Sequence, residues 1–136
     1  MGRLEAGVIR LGRADSQWVT IKVNESNARE FWRRGTVEVS AGPWRGTCPV
    51  WFDFGELRQF ADDIDKLHRT LEGRVEFRPI EPYLELNLTG DGKGHISVEG
   101  KAGDMNFDGS YVAFVFELDQ TELPDIIKSL KIADPD

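Results

Sequence analysis

Along most of this chain apolar and polar residues alternate with a period of two, and the rhythm gives way to a helical period at only two places. Val19, Ile21 and Val23 alternate with Trp18, Thr20 and Lys22, the pattern of a half-buried strand. Val37 and Val39 alternate with Thr36, Glu38 and Ser40, and Ala41-Gly42-Pro43 then turns the chain toward a strand over residues 47–53. A less regular strand is expected over residues 4–11. Further on, Val75 and Phe77 stand between Arg74, Glu76 and Arg78, and Leu84, Leu86 and Leu88 surround Glu85 and Asn87. Gly90-Asp91-Gly92-Lys93-Gly94 supplies the positive φ angles of a tight turn. Ile96 and Val98 then oppose His95, Ser97 and Glu99. Residues 111–118 are apolar on both sides, which predicts a central strand covered on both faces.

The first helical stretch places Leu57, Phe60, Ala61, Ile64, Leu67, His68 and Leu71 on one face. Asp53, three residues before Glu56, suggests a capping box, and Gly73 suggests a left-handed stop. The second stretch gathers Leu123, Ile126, Ile127 and Leu130, with Thr121 as the expected N-cap and Pro124 in the first turn. These elements predict an α+β protein. Its antiparallel sheet of seven to eight strands would be strongly curved or two-layered, with one long amphipathic helix mid-chain and a short C-terminal helix. No repeat or linker interrupts residues 1–136, so a single domain is expected.

Composition narrows the function classes. The residues are 40% hydrophobic and 30% charged, within the range of globular proteins. Cys48 is the lone cysteine, which excludes an internal disulfide. The first residues carry no apolar signal segment, and no apolar run reaches the length of a membrane span. A cytoplasmic location without membrane attachment is the resulting expectation. The net charge of −7 is uneven. Residues 1–34 hold seven basic and four acidic residues, a net of +3, and the remainder holds ten and twenty, a net of −10. Such an acidic body argues against nucleic acid as a partner and suits a basic protein.

Catalytic signatures are missing. His68 and His95 have no neighbour at metal-binding spacing, the Gly90–Gly94 run is followed by no helix or GK[ST], and no GxSxG occurs. A site assembled in space from the two histidines and a carboxylate stays open as an enzymatic reading. The residue types that do stand out are those of binding surfaces. Trp32 is followed by Arg33, and Trp44 by Arg45; tryptophan and arginine are the residues most enriched in interface hot spots. Asp62, Asp63 and Asp65 lie on or beside the outward side of the long helix, where they form either a solvated face or an acidic patch for a basic partner. The expected site residues are therefore Trp32, Trp44, Arg45, Asp62, Asp63 and Asp65, with no catalytic residue, no metal and no cofactor.

Four pieces of sequence carry a resemblance: Trp51, Phe52, Phe54, Leu57 and Phe60 running into the long helix; Leu71 and Gly73 after it; Gly94-His95-Ile96-Ser97-Val98-Glu99-Gly100; and Phe114, Phe116, Asp119-Gln120-Thr121 and Leu123 near the end. In this order the chain resembles the WapI-family immunity proteins over roughly residues 35–131. The resemblance implies a non-enzymatic cytoplasmic protein that binds and neutralises the toxic domain of a cognate polymorphic toxin, possibly a nuclease. It implies a protein partner, and leaves monomer and homodimer open. The main alternative is a small-molecule-binding domain with its pocket between the sheet and the long helix.

Overall fold

The computed structural model describes residues 7–13, 15–24, 32–53, 55–105 and 109–135, without the side chain of Trp32. Eight strands and two helices follow one another as β1 (Val8–Gly12), β2 (Trp18–Val23), β3 (Trp32–Ala41), β4 (Trp44–Asp53), α1 (Glu56–Thr70), β5 (Glu72–Phe77), β6 (Leu84–Asp91), β7 (His95–Gly103), β8 (Tyr111–Asp119) and α2 (Leu123–Ala133). The part of the first predicted strand that precedes Gly7 lies outside the described residues, as does Phe54.

The strands form two four-stranded antiparallel sheets, β1-β2-β3-β4 and β5-β6-β7-β8, each a meander in chain order. The α+β class holds, and α1 is the divider: the chain completes one sheet, crosses through a helix and builds the second. The sheets meet where β1 approaches β8 and where β4 approaches β7. α1 packs chiefly on α2 and β5, and α2 rests also on β1. Buried side chains from both sheets and both helices, including Ile9, Ile21, Val37, Phe60, Leu86 and Leu130, form one cluster.

Alternation explains this core. In register, Ile9, Ile21, Val37 and Cys48 form one row, and Leu11, Val19, Val39 and Gly46 the next. Directly opposed residues share a face, so these rows turn to the core while Arg10, Thr20, Glu38 and Thr47 turn away. From α1, Leu57, Phe60, Ala61, Ile64 and Leu67 are all buried, each of the four larger side chains worth about 2 kcal/mol of apolar burial. Phe60 stacks on Phe77 with ring centroids 4.3 Å apart.

The structure corrects several expectations. β8 is the last strand of its sheet, not a central one. Its Phe114 and Leu118 are buried, but Tyr111, Ala113 and Val115 on the other side are exposed. Asp53 does not cap α1: the cap position is Gly55, at φ 90, with no side-chain hydrogen bond. Half of the anticipated box is present, since Glu56 accepts a hydrogen bond from the Asp53 N–H. α1 ends at Leu71, which takes the left-handed conformation (φ 61) expected of Gly73. Gly73 instead lies within β5, at φ 115. Thr121 is not the N-cap of α2. A short 3₁₀ turn, Gln120–Glu122, precedes that helix. Asp119 caps the turn by accepting from the Thr121 N–H at 3.0 Å, and Glu122 answers by accepting from the Asp119 N–H at 2.9 Å.

Candidate partner-binding surface

The residues singled out in the sequence do not form one patch. Trp32 pairs with Asp53 at one end of the β3–β4 hairpin, and Trp44 pairs with Ala41 at the other. Nine residues of strand separate the two ends, about 30 Å at roughly 3.3 Å per residue. Trp44 and Arg45 are consecutive strand residues and point to opposite faces. Trp44 is 69% exposed. The Arg45 guanidinium lies 5.7 Å from the ring centroid of Trp18, and that of Arg10 lies 5.0 Å from it. Trp18 is thus covered by cations, at 5% exposure, and Arg45 has a packing role. Asp62 is exposed on α1, while Asp63 accepts from Gln59 at 3.0 Å and Asp65 pairs with Arg69 at 2.7 Å. These are the i, i+4 contacts of a solvated helix face.

Sequence reading missed the most distinctive concavity. An apolar cleft of about 330 Å³ opens between the two sheets. Val37 and Val39 of β3, Gly46 and Cys48 of β4, Val112 of β8 and Tyr83 line it. Trp44 belongs to the same face as Gly46 and Cys48 and stands beyond them at the hairpin tip. Tyr111, 52% exposed, borders the opposite side. Burial raises the Cys48 thiol pKa, partly offset by a backbone hydrogen bond from Gly103; at neutral pH it is a neutral, apolar wall. The cleft could not be read from periodicity, because its walls come from the β3–β4 hairpin on one side and from β7 and β8, far away in the chain, on the other.

The pocket expected between sheet and long helix is filled by side chains: the apolar face of α1 is buried from Leu57 to Leu67. What remains there is an open, charged groove of about 440 Å³ along α1 and β5, bordered by Asp63, Lys66, Glu72 and Arg74.

His95 has a carboxylate partner. His95 Nδ1 lies 2.9 Å from Asp91 Oδ2, and Asp91 Oδ1 accepts from the N–H groups of Lys93 and His95. The backbone hydrogen bond from Lys93, followed by the His95 ring, holds the Asp91 carboxyl down to about 2. Hydrogen bonding to Asp91, and then its charge, raises His95. Among the described residues no three His, Cys, Asp or Glu side chains converge as a metal site requires.

The family model for the immunity protein WapI-like family matches residues 10–133. The chain belongs to that family. No curated protein matches it. The last two of the four motif pieces that carry the resemblance meet in this fold. Gly94 O accepts from the Gln120 N–H at 2.8 Å, and His95 stands opposite Asp119 in the β7–β8 register. A Cβ on Gly100 would meet the Phe114 ring at 2.5 Å. These residues therefore fasten the β6–β7 turn and β8 to the start of α2, a structural duty. Among the described residues no helix is long and apolar enough to cross a membrane.

Proposed function

We propose that this protein is a non-enzymatic toxin neutraliser, acting in the cytoplasm by binding the toxic domain of a cognate toxin and covering its active surface. Membership of the WapI-like immunity protein family over residues 10–133 carries this reading. The charge balance supports it. A toxin that acts on nucleic acid needs a basic cleft, and residues 35–136, with a net of −10, are suited to occlude one. Trp44, exposed at a hairpin tip, is the aromatic anchor in this reading, and Asp62, Asp63 and Asp65 add to the attracting field.

Co-expression with each of the genes on either side of its own tests it, a toxin being recognised by the growth arrest it causes alone. The expected result is restored growth and a complex that survives size-exclusion chromatography. Protection in vitro should titrate one-to-one and end once toxin is in excess. Protection at far below one equivalent would mean a catalytic activity and overturn the non-enzymatic reading, and growth arrest with no complex would overturn the neutralising role itself.

A further inference from the structure

Glycine inside a strand weakens it and is kept where the backbone bends or where something approaches closely. The strand glycines of this fold mostly show such a reason. Gly12, Gly73 and Gly103 have φ angles of 99, 115 and 131. A Cβ on Gly35 would meet Lys22 O at 2.3 Å, one on Gly90 would meet Leu71 O at 2.3 Å, and one on Gly100 would strike the Phe114 ring. Gly46 is different. Its φ is not positive, and a Cβ there would meet nothing within 4 Å. The fold has room for a side chain at 46, and the missing side chain lengthens the cleft between the sheets.

The surroundings of Gly46 describe an occupant. β4 is the end strand of its sheet, and among the described residues it pairs with β3 alone. Trp44, Arg45, Gly46 and Thr47 are all exposed, so a stretch of strand edge stands beside the cleft, open to an added strand. The cleft, at about 330 Å³, is roughly twice the ~150 Å³ cavity that holds a benzene ring. That admits one or two apolar side chains, but not a helix of about 10 Å diameter. Tyr111 borders the cleft, and Trp44 stands beyond Gly46 at the hairpin tip, both as exposed aromatic surface.

We propose that an extended segment of the toxin lies along the edge of β4 and seats an apolar side chain in the cleft, over the backbone of Gly46. The inference rests on the neutralising reading and names the surface that does the work. The acidic balance of residues 35–136 favours a segment with Lys or Arg beside the seated residue.

Gly46→Phe plugs the cleft at a position where the fold leaves room. The probe is the purified toxin domain that the wild-type protein protects against in co-expression, with binding read by calorimetry and the fold by thermal melting. Wild type should bind, and G46F should melt like wild type while binding about 30-fold more weakly or worse, the loss of a hot-spot contact. Amide exchange in the wild-type complex should show protection at residues 44–48. Equal binding by G46F, or protection confined to α1, would overturn the cleft inference and leave the neutralising reading standing. No binding by wild type removes that reading, and the inference with it. Wild-type dimerisation that G46F abolishes would make the occupant a second copy of this chain, and retention of an apolar dye that the toxin domain fails to displace would make it a small molecule; either overturns the proposal.

Discussion

At Asp134 one carboxylate joins three parts of the chain. It is 1% exposed, its Oδ1 lies 3.4 Å from Arg33 Nε of β3, and its Oδ2 accepts from the Arg58 N–H of α1 at 3.2 Å. Its own backbone N–H reaches back to Leu130 O, closing α2. Removing a buried carboxylate deletes its ion pair and its charge-assisted hydrogen bond together, which commonly costs about 2 kcal/mol or more. Asp134→Ala should lower the unfolding free energy by about that amount in urea titration; a loss below about 1 kcal/mol would show that water already reaches the site. His95 and Asp91 form an exposed pair with a different use, as a reporter. His95 is raised from 6.5, so its share of the pairing is complete below that pH and fades as pH rises through the folded value. Asp91 is lowered from 3.8, so its share is complete above that pH and fades as pH falls through about 2. The pair is whole between 3.8 and 6.5. An NMR titration should put the His95 midpoint above 6.5, and Asp91→Asn should bring it down; a wild-type midpoint at or below 6.5 would mean the contact does not form in solution.

At the scale of elements, two strand glycines that look alike in sequence should behave oppositely. Gly100→Ala drives a methyl into the Phe114 ring and toward Leu86, an overpacking of about 1–3 kcal/mol. Gly46→Ala meets nothing and should be neutral or stabilising by up to about 1 kcal/mol. Melting curves of the two variants check both, and a destabilised Gly46→Ala would mean that the open space at 46 is absent in solution. The same contrast marks the limit of pattern reading. Alternation and short apolar runs placed all eight strands and the helical period both helices, because burial of one face selects those residue types. It misjudged β8, whose outer side chains are apolar yet exposed: Tyr111 is 52% exposed, with the Lys101 Nζ 5.4 Å from its ring. Side-chain character records what a position tolerates, and only neighbouring strands decide whether it is covered. Helix ends were misread for a related reason. Several residues near Glu56 and Gln120 could cap, and the backbone path chose Gly55 and Asp119.

At the scale of the molecule, the uneven charge is a kinetic property. Exposed carboxylates on α1 attract a basic partner before contact, and salt screens that attraction beyond about 10 Å. Raising salt from about 0.05 M to 0.3 M should slow association with the toxin domain on the order of ten-fold, with dissociation little changed. Stopped-flow mixing measures both. Neutralising Asp62, Asp63 and Asp65 together should flatten the salt dependence, whereas a salt-independent association rate would deny the acidic face any steering role. The loss caused by G46F should appear in dissociation, because a seated side chain acts after encounter.

Local rules sufficed for the class of fold, the strand runs, both amphipathic helices and the acidic balance, because each depends on residues close in sequence and on the period with which one face is buried. Family membership was legible too, in motif pieces whose spacing the β7–β8–α2 junction constrains. The division of eight strands into two sheets, the exposure of β8, the Arg33–Asp134–Arg58 junction and the cleft beside Gly46 were decided by packing. Each joins residues from distant parts of the chain, and no local pattern of polar and apolar positions records which distant surface a side chain will meet.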